Sequence, residues 1–451
     1  MRLLNTTTYE LQESRQGTTR PPYAILSHRW YPQEITYATL NSSGLQNDDI
    51  ASPQLEKIRG TCRIARAENL EWVWIDSSNI NKNSSEELNR SINSMFRWYQ
   101  EAAICYTYLT DVVKSGQQPY TSQQHDPEKA SKQQSSVFKR HDSNETSEWF
   151  ERGWTLQELL APRQMRFYDT NWTFMGTRSQ LAPEIERITG IEAKFLDGSE
   201  AFRSASIAAR LSWQARRKTT EEEDMAYSLL GIFDVDLVPT YGEGRKAFFK
   251  LQQKLLQNYR DESLFAWTAP KGRLPKHDRN WGPDQWGLLA PSIICFQNCG
   301  KFVISGKSKE RPAGGITPTA EGVKFPMPAS ELESWRTWMG MLSVFAPPFI
   351  GPFLWHGIRV YKHKHRREWS LTLNCWTENG VGQLKPLQIF LCRDSRGDEF
   401  WRRCRCEDLE MAQKIASNSR TGTGLLKSRM RYLVVSEFEH HNITSNQTGF
   451  N

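Results

Sequence analysis

Apolar positions change their period several times along this chain, and each change marks an element. Residues 23–27 (YAILS) form an unbroken apolar run, as a strand buried on both faces requires, and lead into His28-Arg29-Trp30. Residues 54–68 then space Leu55, Ile58, Cys62 and Ala65 as the stripe of a half-buried helix. A second apolar run, WVWID at 72–76, ends in a carboxylate. A helix over about 85–100 follows, with Leu88, Ile92, Met95, Phe96 and Tyr99 on one stripe, and residues 103–109 read as a third strand. Strand–helix–strand–helix–strand in this order predicts a parallel α/β sheet with helices on its faces.

The pattern lapses over 114–147, where Gln, Ser, Lys and Asp replace aliphatic side chains, so the segment reads as a long mobile insertion. Behind it comes WFERGWTLQELLAPRQMRFYD at 149–169. Trp154, Leu156, Leu159 and Leu160 can share one helical face there, with Glu158 projecting from another part of the first turns. Ala161-Pro162 ends the helix, and residues 165–168 alternate as a strand. A lone carboxylate on a helix leaving a strand's carboxyl edge is placed for chemistry in an α/β sheet. On spacing alone the residues favour Glu158 capping its helix and pairing with Arg152, since acids are common in first helical turns.

Residues 170–267 read as mostly helical, with amphipathic stretches at 206–213, 222–230 and 246–258. Thr219-Thr220 ahead of Glu222 and Glu223 is a helix start. The glycine turn Tyr241-Gly242-Glu243-Gly244 lacks the GKS/T ending and a preceding strand, so it reads as the entry to a helix and not as a phosphate loop. Past about 268, Gly, Pro and aromatic residues alternate with strand-like runs at 300–305, 369–375, 387–392 and 430–435. The expected organisation is an α/β domain over 1–169, a helical region over 170–267, a β-rich C-terminal domain over 268–440 and a tail at 441–451.

Composition narrows the function classes. A chain of 451 residues with 38% hydrophobic content, 17 Trp, 14 Tyr and 21 Phe can build more than one core. The net charge of +7 is mild and gives no strong nucleic-acid signal; the basic run at 362–367 (KHKHRR) reads as a solvated hairpin. MRLLNTTTYELQE at the start has no apolar signal region, so a cytoplasmic location with eight reduced cysteines is expected. No CxxC pair occurs, and neither Cys295 with Cys299 nor Cys404 with Cys406 has an ordered histidine partner, so no metal is expected. Residues 337–357 carry no Asp, Glu, Lys or Arg over a bilayer length, but Gly340, Pro347, Pro348, Gly351 and Pro352 would break such a helix repeatedly. A loop in a soluble domain is the reading, with no membrane span.

Several motifs stand in a fixed order: YAILSHRW at 23–30, WVWID at 72–76, EELNRSINSMFRWYQEA at 86–102 and GWTLQELLAP at 153–162. SIAARLSW at 206–213, TTEEEDMAYSLLGIF at 219–233, YGEGRKAF at 241–248 and ESLFAW at 262–267 follow. Together they resemble the fungal heterokaryon-incompatibility (HET) domain, densely over 1–267 and loosely beyond. The family usually has two cysteines and an aspartate just after WID; here those positions are Ser78, Asn79 and Asn81, which excludes a cysteine-based role for that loop. The resemblance implies non-self recognition between fungal individuals, regulated cell death, an incompatibility partner protein and self-association.

HET domains are in turn similar to TIR domains, which implies a TIR-like parallel sheet flanked by helices. In TIR domains that cleave NAD, a glutamate on a similar helix is catalytic, and the matching residue is Glu158. NAD is then a substrate, and no cofactor is implied. By the same resemblance the ligand contacts are Ser27, His28, Arg29 and Trp30 after the first strand, with Asp76, Arg152 and Trp154. Arg29 or Arg152 suits a pyrophosphate, and Trp30 or Trp154 a ring. Structural roles stay open beside these: a hydrogen-bonded His28, tryptophans in the core, Asp76 capping a turn and Glu87 capping a helix. Two functions compete, a NAD-cleaving effector and a non-enzymatic signalling module that acts by self-association. A nucleic-acid regulator using the basic run is a third.

Overall fold

The structure is a computed structural model that describes residues 1–13, 20–43, 52–114, 137–270, 286–304, 317–319, 322–327, 368–378, 383–393, 400–404, 410–411 and 431–436. The chain divides into two compact units, Met1–Ala205 with Arg210–Leu251 and Ser206–Ala209 with Gln252–Asn451.

The first unit is built on β1 (Arg2–Asn5), β2 (Leu11–Glu13), β3 (Tyr23–His28), β4 (Trp72–Trp74), β5 (Ile104–Tyr108), β6 (Met165–Tyr168) and β7 (Phe174–Thr177), in the sheet order β2-β1-β4-β3-β5-β6-β7. The four strands expected from the apolar runs are parallel to one another, β4-β3-β5-β6. Both edges are antiparallel, however, so the sheet is mixed. At the outer pairs the reason is local: β1 to β2 and β6 to β7 are hairpins, and a short turn can only return the chain antiparallel, while β1 itself joins β4 antiparallel across a long connection. Asn5 Oδ1 accepts from the Thr7 and Thr8 amides in the first turn, and Asp169 Oδ1 accepts from those of Asn171 and Thr173 in the second. One strand, β7, comes from the region read as helical.

Strand β3 lies in the middle, with all six residues buried. The chain leaves it for β4 on one side and returns to β5 on the other, so the connections reverse at β3. Such a reversal opens a crevice at the carboxyl edge of an α/β sheet. Pairing with β4 stops at Ile25, whereas pairing with β5 continues through Ser27↔Thr107 and His28↔Tyr108. Ser27 and His28 therefore overhang β4 at that edge.

The helices follow their sequence signals closely. After α1 (Tyr37–Ser43), helix α2 (Pro53–Ala67) starts where Ser52 Oγ accepts from the Leu55 amide and Pro53, having no N–H, needs no acceptor. It buries Leu55, Ile58, Cys62 and Ala65. Residues 76–79 form the short α3 (Asp76–Asn79), and α4 (Ser85–Glu101) is capped by Ser84, whose Oγ accepts from the Glu87 amide. Glu87 itself does not cap: its carboxylate takes both Arg2 guanidinium nitrogens at 2.5 and 2.6 Å and ties the helix to β1. Helix α5 (Thr155–Leu160) is buried at all six positions, so Glu158 does not sit on a polar face.

The remaining helices are α6 (Ala182–Thr189), α7 (Ala193–Leu196), α8 (Ile207–Ala215), α9 (Asp224–Tyr227), α10 (Leu230–Phe233) and α11 (Lys246–Asn258). The single helix expected over 222–230 is thus broken in two. Of the insertion read at 114–147, residues 115–136 lie outside the described residues. Its far end is fixed in place: Phe138 is fully buried, edge-on to Phe150 and Phe167 at 4.9 and 5.2 Å. Asp111 accepts from Ser147 Oγ and the Glu148 amide just beyond.

In the second unit the strands are β8 (Thr317–Thr319), β9 (Gly322–Met327), β10 (Glu368–Glu378), β11 (Leu384–Arg393), β12 (Phe400–Cys404), β13 (Glu410–Met411) and β14 (Arg431–Ser436). They order as β10-β11-β12-β14-β9-β8, with β13 on β11. Three of the four expected runs are strands; among the described residues of 300–305, which end at 304, only the bridge Val303↔Trp376 forms. Cys295 and Cys299 are buried, and Cys299 Sγ donates to the Ala266 carbonyl. The runs at 337–357 and 362–367, Cys406 and the tail at 441–451 lie outside the described residues. Among the described residues, no helix is long and apolar enough to cross a membrane.

Candidate active site at the carboxyl edge of the sheet

Glu158 meets the end of β3. Ser27 Oγ donates to Glu158 Oε2 at 2.6 Å and accepts from Trp149 Nε1 at 2.9 Å. Trp149 belongs to the 3-10 turn Glu148–Glu151 ahead of α5, so one hydroxyl joins strand, turn and helix. Glu158 is 5% exposed and Ser27 wholly buried. Burial, with the charge of Asp76 next in size, pushes the Glu158 carboxyl up to about 8, against the Ser27 bond and the Arg152 charge. The group thus holds its proton at neutral pH in this arrangement. Arg152 acts on it only through its charge, so the pairing allowed by the sequence is not a direct contact.

A second network runs alongside. Lys57, wholly buried on α2, donates to Glu34 Oε2 at 2.5 Å and to His28 Nδ1 at 2.8 Å. With Nδ1 accepting, His28 carries its proton on Nε2 and donates to Asp76 Oδ1 at 2.9 Å. Trp30 Nε1 donates to Asp76 Oδ2, also at 2.9 Å. Burial and the Lys57 charge push the His28 pKa down, so the ring is neutral. Burial alone would raise the Asp76 carboxyl, but the His28 hydrogen bond, with the Lys82 and Arg152 charges, holds it below the usual carboxylate range. Asp76 accordingly opens α3 with its side chain turned to His28 and Trp30.

The other expected residues lie around this pair of networks. Trp30 is half-buried, with Lys82 Nζ 3.3 Å and Arg152 Cζ 5.7 Å from its ring centroid. Arg29 is ion-paired with Glu148. Trp154 donates through Nε1 to Asp224 Oδ2 at 2.9 Å, and Tyr241 holds the other oxygen of that carboxylate. Ser27, His28, Trp30, Asp76, Arg152 and Glu158 are therefore brought together, while Arg29 and Trp154 face partners of their own.

Lys57, Glu34, Trp149, Lys82 and Asp224 escaped the sequence reading. Nothing in spacing marks a lysine as the buried residue of a helix or an exposed turn lysine as a ring's neighbour. Asp224 lies within TTEEEDMAY, where acids read as helix-start residues.

Two motifs prove structural. Asn79, where the family usually has another residue, accepts from Ser78 Oγ at 2.9 Å and donates to the Arg2 carbonyl at 3.0 Å, linking α3 to β1. In the glycine turn, the Gly242 and Gly244 amides donate to Glu223 Oε1 at 2.7 and 2.8 Å. Those amides, which could cradle a phosphate, hold the chain's own carboxylate.

With this geometry in place, the comparisons with known proteins fall into line. Residues 23–158 match the family model described as heterokaryon incompatibility protein (HET), from the first residue of β3 to Glu158 itself. The vegetative incompatibility protein HET-E-1 of Podospora anserina is 40% identical over an alignment of 287 residues, whose matched residues cover 61% of this chain. They are 19% of that protein, so the chain spans less than a fifth of the curated relative's length. No solved structure matches. From β3 to the buried glutamate of α5 the chain thus matches the heterokaryon incompatibility (HET) family, and its 40% identity to a vegetative incompatibility protein supports the same relationship.

Proposed function

We propose that this chain acts in vegetative incompatibility, in non-self recognition and the regulated cell death that follows, and that it does so by cleaving NAD at Glu158. The observation that carries the chemistry is the buried Glu158 carboxyl, hydrogen-bonded to Ser27 at the end of β3, where the sheet connections reverse. In NAD the bond from ribose C1′ to the nicotinamide nitrogen breaks, and its electron pair leaves with neutral nicotinamide, so no acid is needed. Positive charge builds on the ribose; an ionised Glu158 beside C1′ stabilises it or bonds to it. Water then adds at C1′ and loses a proton, giving ADP-ribose. At 5% exposure Glu158 must be uncovered before a ribose can touch it, and the cationic nicotinamide ring favours its ionised form once bound. This chemistry implies a cytoplasmic site of action, where NAD is present.

The competing reading is a non-enzymatic module that signals by self-association; the close packing and hydrogen bonding of Glu158 favour it. Nicotinamide release from NAD by the purified full chain decides between them, measured over a range of protein concentrations beside Glu158→Gln. Release that falls about a hundredfold or more in the variant supports the enzyme. If the wild type releases none at any concentration, the association module stands instead. A nucleic-acid role has only the basic run at 362–367 behind it, and binding to DNA and RNA at low salt tests it.

A further inference from the structure

We infer that Lys82 and Arg152 clamp the diphosphate of a dinucleotide, and that Lys82 now occupies the face of Trp30 that a ring of this ligand takes. The ligand class rests on the NAD reading above; the assignment of the two cations rests on their surroundings. The other cations near the edge of β3 have protein partners: Arg29 pairs with Glu148, and Lys57 is buried between Glu34 and His28. Arg217, which burial pushes to lower pKa, donates to the Arg152 carbonyl at 3.0 Å and to Thr155 Oγ1 at 2.9 Å.

Lys82 and Arg152 differ from all of these. Among the described residues neither forms an ion pair, and neither donates a side-chain hydrogen bond. Both instead rest on one indole. The neighbouring carboxylates are engaged elsewhere, Asp76 by His28 and Trp30 and Asp224 by Trp154 and Tyr241. Two cations that feel the Asp76 charge but make no ion pair or side-chain hydrogen bond with it, set about a half-buried ring whose N–H is fixed, match a ligand that brings both phosphate and a planar group.

The turn carrying Lys82 joins α3 to α4 and is exposed, so its ammonium can leave the indole without disturbing the core. A lysine on an exposed aromatic face is held weakly, and a charge-assisted contact to phosphate competes with it. The diphosphate therefore draws Lys82 off Trp30 as it draws in Arg152, and the vacated face is left for stacking. Arg29 has no part in this clamp.

The test uses the full chain with ADP-ribose and inorganic pyrophosphate, followed by calorimetry and tryptophan fluorescence at low and high salt. Salt-sensitive binding of both probes is expected. Lys82→Gln and Arg152→Gln should each weaken it about tenfold, while Arg29→Gln leaves it unchanged. The fluorescence response to ADP-ribose should disappear in Trp30→Leu. Absence of binding by the wild type at low salt, or equal affinity in the Lys82 and Arg152 variants, overturns the clamp. Probe binding that depends on both cations in a protein that never releases nicotinamide would keep the clamp and remove the NAD-cleaving function. Nicotinamide release with unchanged KM in both variants would do the reverse.

Discussion

Glu158 keeps its proton to a pH at which exposed carboxylates have long lost theirs, because burial and the charge of Asp76 both oppose ionisation. The folded chain therefore binds one more proton than the unfolded chain between 4.5 and about 8. Its contribution to stability is complete below that interval, falls as pH rises through it and levels off above. Activity that needs the ionised form runs the other way, with kcat/KM rising toward about 8. Glu158→Gln cannot titrate, so its stability relative to wild type should grow between pH 5 and 9 by on the order of a few kcal/mol. Denaturant midpoints at pH 5, 7 and 9 check this, and parallel curves for the two proteins would refute it. Ser27→Ala leaves Trp149 Nε1 buried without its acceptor and removes a bond that lowers the Glu158 pKa. A loss of about 1–3 kcal/mol is expected, with the pH–rate midpoint displaced upward.

At the scale of elements, legibility followed burial geometry. Strands β3 and β5 are covered on both faces, so their unbroken apolar runs announced them; α2 and α4 are half-buried, so their stripes did. Helix α5 is buried all round, and no periodicity could show where Glu158 points. The hairpin strands β1, β2 and β7 are short and set by turn hydrogen bonds, which a hydropathy pattern does not carry. Lys57 is the sharpest case, since a lysine in a charged stretch reads as solvated yet proves buried between Glu34 and His28. Lys57→Met would leave Glu34, whose side chain is 3% exposed, without its counter-ion. A loss of about 3–5 kcal/mol is expected, largely recovered in Lys57→Met/Glu34→Gln. A double-mutant cycle by chemical denaturation measures the coupling, and additive losses would show that the pair is not the determinant.

Over the whole molecule, the family match closes at Glu158, but the unit that positions Glu158 does not. Residues 210–251 return to it: the Gly153 amide donates to the Lys218 carbonyl at 2.8 Å, and the Lys218 amide to the Glu151 carbonyl at 2.6 Å. Beside them Arg217 supports the first turn of α5, and Asp224 holds Trp154. Glycine at 153 fits this approach without displacement, whereas a Cβ there would lie 2.5 Å from Thr219 Cγ2 and 2.8 Å from Gln214 Nε2, side-chain ends that would have to move aside. The stretch from 214 to 224, far from Glu158 in sequence, thus serves it by holding the turn before its helix. A fragment ending at 205 should therefore be protease-sensitive around 149–160 and lose cooperative unfolding, whereas one ending at 270 keeps both properties. Gly153→Ala in the full chain should reproduce the first effect in part, as the added methyl pushes the Thr219 and Gln214 side chains away from the turn. Equal midpoints and equal proteolysis for the two fragments would mean that Glu158 is held by the sheet alone, and that the downstream motifs answer to some other part of the chain.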